Sequence, residues 1–195
     1  MKSLVALGSG QGSTIEFFCQ KIKKSKKPFI LKAIVTDNVK SNLFKVAENF
    51  QIPYHKLPYN KHNPQLWNQQ LCQLLCSYKP SLIVLAGFLK KIGPEIIKTF
   101  PKKIINSHPS LLPEFGGKGF YGLKIHKAVL KERKRQTGIS IHWVDLDYDK
   151  GKIIAQTSLP VKKEDTEKTL EKRVKQKEKN FYFEIIQKVL QKQKN

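Results

Sequence analysis

Short apolar runs alternate with amphipathic segments through the first 108 residues, and no other feature limits the possible folds so strongly. Residues 3–7, 29–36, 52–57, 81–85 and 104–108 read as strands. Residues 14–24, 43–50, 66–78 and 94–99 read as helices. The first would pack Ile15, Phe17, Phe18 and Ile22, and Ser13 or Thr14 would cap it. The third would turn Leu66, Leu71, Leu74 and Leu75 inward. The run 81–85 is continuously apolar, as expected of a strand buried on both faces of a parallel sheet. The alternation predicts an α/β chain: a doubly wound, mostly parallel sheet with helices on both faces and right-handed crossovers. Such sheets bind ligands beyond the carboxyl ends of their strands.

Past residue 135 the pattern changes. Ile139, Ile141 and Trp143 alternate with Ser140, His142 and Val144, and residues 153–159 read as the partner of that strand. Residues 166–190 form a long lysine-rich helix with Leu170, Val174, Phe181, Ile185 and Val189 spaced for packing, and 191–195 are expected to fray. No repeat or linker divides the chain, so 1–195 reads as a single domain.

The net charge of +22 invites a nucleic-acid reading, but its chemistry argues otherwise. Arginine occurs only at 133, 135 and 173. Bidentate recognition of bases and phosphates favours arginine, whereas lysine is a hydrated point charge suited to ordinary surface. The same field would attract anionic small molecules. No apolar run approaches the roughly 20 residues of a membrane helix, and the short apolar stretch at 4–7 lacks the order of a signal peptide. Cys19, Cys72 and Cys76 read as reduced thiols, which points to the cytoplasm. No His, Cys, Asp or Glu set has metal spacing, so no metal is expected.

Three stretches carry chemistry. Gly8-Ser9-Gly10-Gln11-Gly12-Ser13 follows the first strand; glycines and free N–H groups there fit a phosphate cradle or a plain tight turn. It is neither a Walker loop nor a full dinucleotide fingerprint. Asn106-Ser107-His108-Pro109 ends the fifth strand, with positions 106 and 108 on one face. An amide donor beside an imidazole suits acyl transfer, the amide holding an oxyanion while the imidazole moves a proton. Asp145–Asp149 offers a carboxylate to orient and charge that imidazole, or a solvated turn. His142 reads as a core histidine or one that braces the site from behind, His55 and His62 as loop residues, and His126 as a helix-start residue.

Together with Leu85-Ala86-Gly87-Phe88 and Ser110-Leu111-Leu112-Pro113, these stretches resemble the formyltransferase family that uses 10-formyltetrahydrofolate, from about residue 3 to about residue 185. The resemblance implies a Rossmann-type fold and transfer of a formyl group from 10-formyltetrahydrofolate, as co-substrate, to the amine of phosphoribosylglycinamide in purine synthesis. It makes 1–108 a nucleotide-binding half and 109–190 a folate and catalytic half. Asn106, His108 and Asp149 would be catalytic. Gly12, Ser13, Thr14, Lys175, Gln176, Lys177 and Glu178 would hold the nucleotide. Leu89, Lys90, Lys91 and Ile92 would line the folate site, with Asn106, Asp145, Leu146, Asp147, Tyr148 and Asp149. Thr14 stands where many relatives carry Asn, the glycine loop 116–122 is longer than in many, and His62-Asn63-Pro64 replaces an arginine on the folate, leaving Lys61 or Lys90 for that contact.

The expected partners are small molecules, with no specific nucleic acid and no membrane, for a monomer or homodimer. A relative that formylates methionyl-tRNA would need a further C-terminal domain, for which no sequence remains, and a formyltetrahydrofolate hydrolase would need an N-terminal regulatory domain. A basic nucleic-acid module without catalysis would have no use for Asn106, His108 and Asp149 together.

Overall fold

The computed structural model describes residues 1–24 and 29–193. Strands β1 (Lys2–Leu7), β2 (Phe29–Thr36), β3 (Tyr54–Lys56), β4 (Leu82–Leu85), β5 (Ile104–His108), β6 (Gln136–Trp143) and β7 (Ile153–Pro160) form one sheet in the order β3-β2-β1-β4-β5-β6-β7. The helices are α1 (Ser13–Lys24), α2 (Leu43–Asn49), α3 (Pro64–Tyr78), α4 (Pro94–Thr99), α5 (Leu123–Lys131) and α6 (Glu167–Lys192). Strand β1 pairs in parallel with β2 and β4, and β2 with β3, whereas β6 and β7 are antiparallel. This is the expected α/β sheet, mostly parallel. Two compact units divide at 105/106.

In the first unit, β4 is buried along its whole length and β1 from Ser3 to Leu7, which explains why neither run alternates. Helix α1 begins at Ser13, and the Glu16 N–H already donates to the Gly12 carbonyl at 2.8 Å. Ser13 therefore lies inside the first turn, and the expected cap at Ser13 or Thr14 is replaced by Gly12. Ile15 and Cys19 of α1 pack with Ala6, Ile34, Leu43 and Val46.

Helix α3 starts two residues earlier than its periodicity suggested. Asn63 caps it, accepting from the Leu66 N–H at 3.0 Å, and Pro64 takes the first turn, where a missing N–H costs nothing. The inward stripe is Trp67, Leu71 and Leu75, one residue every four; Leu66, expected inside, is 46% exposed, and Leu74 is half-buried. Trp67 supplies the apolar surface at that end of the stripe, while its ring N–H donates to the Leu57 carbonyl at 3.0 Å.

The second unit holds the β6–β7 pair, α5 and α6. Strand β6 alternates as read, yet its polar positions Ser140 and His142 are buried like its apolar ones. Thr166 caps α6 in a reciprocal box with Thr169, at 3.3 and 2.8 Å. The helix buries Leu170, Val174, Tyr182, Ile185, Ile186 and Val189. It continues through Gln191 and Lys192, which were expected to fray; 194–195 lie outside the described residues. His126 lies in the middle of α5, 1% exposed, not at a helix start.

Candidate active site

Asn106 and His108 leave the end of β5 on one face, as period-two geometry requires, and both meet groups from β6 and the loop after it. The Asn106 amide nitrogen lies 3.1 Å from His142 Nε2. His142 Nδ1 is 2.9 Å from the Trp143 carbonyl, which can only accept, so this nitrogen carries a proton. In the neutral ring Nε2 is then the acceptor, and it receives an N–H from Asn106. That bond fixes which way the Asn106 amide points.

Asp149 sits between the two imidazoles. Its Oδ2 is 3.4 Å from His108 Nδ1 and its Oδ1 is 3.4 Å from His142 Nε2. The Gly117 N–H donates to Oδ2 at 2.9 Å. Burial alone would raise the Asp149 carboxyl, but the side chains of His108 and His142, the charge of His108 and the Gly117 N–H outweigh it and hold the group well below the usual carboxylate range. His108 Nε2 lies 2.8 Å from the Phe115 carbonyl. Both ring nitrogens of His108 thus face groups that only accept, an arrangement that a doubly protonated ring satisfies. The glycine loop 116–122 accordingly begins with two direct ties to the site, Phe115 on His108 and Gly117 on Asp149.

Two backbone features set Asp149 in place. Its own φ is 56°, a left-handed conformation that Asp tolerates better than most residues. Two residues on, a Cβ at Gly151 would stand 1.8 Å from the Trp143 carbonyl oxygen, so only glycine lets the turn close against β6. The chain after His108 is held by Ser140. Its hydroxyl donates to the Ser110 carbonyl at 2.7 Å and accepts from the Leu112 N–H at 2.9 Å and the Gln156 amide at 2.8 Å. Gln156 also donates to the Leu112 carbonyl at 2.9 Å. Ser140 and Gln156 escaped the sequence reading; their signal was polar residues facing each other at paired positions of β6 and β7.

Asp145, Leu146, Asp147 and Tyr148 lie exposed in the β6–β7 connection. From α6, Lys175 pairs with Glu171 at 2.8 Å, Gln176 is exposed, and Lys177 Nζ donates to the Ser158 carbonyl at 2.6 Å. Glu178 is partly buried. Burial raises its carboxyl, against the Ser107 hydroxyl and the charges of Lys175, His108 and Lys179. The Ser107 Oγ is buried without a hydrogen-bond partner of ordinary length. Glu178 thus lies in electrostatic reach of His108.

In the first unit, the turn at Gly12 has φ +84°, open to glycine at little cost, and Ser13 and Thr14 follow in the opening turn of α1. Leu89 is half exposed and Lys90 and Lys91 are accessible, but the Ile92 side chain is buried, leaving its backbone for any ligand contact. Pro64 is committed to the start of α3. Lys90 stands over the Tyr59 ring at 4.6 Å, whereas Lys61 is exposed in a turn. Among the described residues no three His, Cys, Asp or Glu side chains converge in a metal-binding group. Nor is any helix there long and apolar enough to cross a membrane.

The profile of the family described as formyl transferase matches residues 1–186. The chain belongs to that family. It is 38% identical to the chloroplastic phosphoribosylglycinamide formyltransferase of Vigna unguiculata over 187 residues, 95% of this chain and 60% of that one. It is 31% identical to the phosphoribosylglycinamide formyltransferase of Bacillus subtilis (strain 168), over 97% of this chain and 95% of the relative. The crystal structure of phosphoribosylglycinamide formyltransferase from Bacillus halodurans superposes with a TM-score of 0.90 at 28% identity, covering 100% of this chain and 98% of that one. The chain spans 60% and 64% of the length of the two chloroplastic relatives it matches.

Proposed function

We propose that this chain is an enzyme of purine biosynthesis that transfers the formyl group of 10-formyltetrahydrofolate to the amine of phosphoribosylglycinamide. The observation that carries the reading is the Asn106–His142–Asp149–His108 chain of contacts, found in a member of the formyl transferase family. Such a set has an oriented donor, a proton carrier and a buried anion, the three parts acyl transfer needs.

The substrate amine attacks the formyl carbon, and the carbonyl oxygen becomes an oxyanion. Asn106 has two amide N–H groups; with one turned to His142, the other is free for that oxygen. His108 offers its Nε2 proton after exchanging the Phe115 carbonyl for the intermediate. It gives that proton to the folate nitrogen as the carbon–nitrogen bond breaks and is recharged by the proton that the amine loses. Asp149 stabilises the imidazolium through this relay. No covalent enzyme intermediate is required.

In this reading the glycine turn ending in Ser13 and Thr14 receives the nucleotide phosphate at the start of α1, while Glu178, with its neighbours Lys175–Lys177, serves the nucleotide. Residues 89–92 and 145–148 serve the folate, with Lys90 as the cation for its anionic tail. We assign the enzyme to the cytoplasm; its three cysteines are free thiols, as a reducing compartment favours.

The test is formyl transfer to purified phosphoribosylglycinamide, followed by folate absorbance, with methionyl-tRNA as the competing acceptor. Turnover with the nucleotide and none with the tRNA supports the reading. The reverse pattern would replace it.

A further inference from the structure

Asp37 is a carboxylate 8% exposed at the end of β2, with no part in the chemistry above. Burying a carboxylate is costly unless its oxygens are hydrogen-bonded. A buried anion is especially costly near a turn that receives phosphate, because it repels the ligand. Its partners show how the charge is used. The Ser9 hydroxyl, 5% exposed and inside the glycine turn, donates to Asp37 Oδ1. The same hydroxyl accepts from the Leu89 N–H at 3.0 Å. The other carboxylate oxygen lies 4.0 Å from Lys90 Nζ, which in turn sits over the Tyr59 ring.

Ser9 does not need this contact to hold its backbone. Its N–H already donates to the Gly87 carbonyl at 3.1 Å, and its carbonyl already accepts from Asn38 at 2.8 Å. The hydroxyl is an additional link, and it joins two loops assigned to different substrates. Donating to a carboxylate polarises a hydroxyl and strengthens the bond it accepts, so the charge on Asp37 is felt at Leu89.

We propose that Ser9 and Asp37 are positioning residues that lock the nucleotide-binding turn to the Leu89–Lys91 folate segment. The proposal rests on the substrate assignment above. It predicts that one side chain touching neither reacting centre controls the affinity for both substrates.

The experiment compares the full chain with Ser9→Ala, Asp37→Ala and Asp37→Asn. It measures steady-state formyl transfer and calorimetric binding of phosphoribosylglycinamide and of the stable analogue 10-formyl-5,8-dideazafolate. Ser9→Ala should raise the KM for both substrates by roughly ten-fold, the scale of one hydrogen bond to a charged network, and kcat should change far less. Asp37→Ala should do the same. Asp37→Asn keeps an oxygen for the Ser9 hydroxyl and should recover most of the loss. Unchanged binding of both ligands in Ser9→Ala overturns the proposal, as does a change confined to one ligand. Should Asp37→Ala fail to fold, Ser9→Ala and Asp37→Asn still decide it. A wild-type chain that binds neither ligand would sink the substrate assignment itself, an outcome distinct from wild-type binding that Ser9→Ala leaves intact.

Discussion

The amide of Asn106 is held by His142, whose Nε2 lies 3.1 Å away, and this contact decides which donor the candidate site can offer an oxyanion. Removing the imidazole frees the amide to rotate. His142→Ala should lower kcat by roughly a hundred-fold, the cost of misplacing a reacting group by about an ångström, with KM values little changed. An Asn106 that tolerates the loss of His142 without a fall in kcat would show that its orientation is set elsewhere.

His108 and Asn106 should differ in kind. His108→Ala removes the proton carrier and should cost roughly two to four decades in turnover. Asn106→Ala removes one oxyanion donor and should cost about 3 kcal/mol of transition-state stabilisation. The check is pre-steady-state formyl transfer with both substrates saturating; a rise in Michaelis constants alone would make either residue a binding group.

Asp149 carries a pH signature. Its carboxyl is held well below the ordinary range, so the folded protein keeps it ionised where the unfolded chain takes up a proton. That contribution to stability is complete above the ordinary carboxylate range and is lost as pH falls through it. Asp149→Asn should therefore flatten the acid limb of stability as well as lower turnover. Urea unfolding from pH 6 downward reads it; identical limbs in the two proteins would remove Asp149 from the balance.

His126 works in the same direction through different physics. Burial lowers its imidazole from 6.5 to about 4, and the charge of Glu171 only partly opposes this. Nδ1 has no hydrogen-bond partner, so a second proton would find nothing to bind. The unfolded chain protonates below pH 6.5 and the folded one only near 4, so stability falls as pH drops through that window. The loss should be roughly 3 kcal/mol at its limit. Replacing His126 by an apolar residue of similar size should abolish that share of the slope, measurable as the midpoint of urea unfolding at several pH values.

Gly151→Ala places a methyl group 1.8 Å from the Trp143 carbonyl oxygen. The turn carrying Asp149 must open to admit it. We expect a loss of about 2–4 kcal/mol, as for other backbone clashes in packed positions, together with reduced turnover. A variant with wild-type melting temperature and activity would show that the turn is free to move.

Much of this chain was legible before any fold was seen. Apolar runs marked 29–36 and 104–108 as strands, and Pro94 at a helix start marked 94–99 as a helix, so all three could be located to the residue from pattern alone. The Asn106–His108 spacing follows from the two-residue period of a strand. Errors fell where local rules compete. Leu66 is apolar, yet the cap at Asn63 set the phase of α3 and Trp67 took the inward place. Position at the end of the chain suggested fraying from 191, but the buried Val189 and Leu190 keep the last turn of α6 packed.

The sequence by itself determined the order of elements, the face shared by Asn106 and His108, and a chemistry compatible with acyl transfer. Those properties depend on neighbours within a few residues, where backbone period and side-chain type are sufficient. The resemblance named Asp149 among the three acids of one turn, but only the tertiary structure brings it to His108, with a left-handed backbone angle at 149. The tertiary structure also gave His142 its hold on Asn106, Ser140 its hold on Ser110 and Leu112, and Ser9 its link to Asp37. These contacts join residues 28 to 36 positions apart, and at that separation no periodicity survives: the distance between two side chains is set by how strands pair and loops pack.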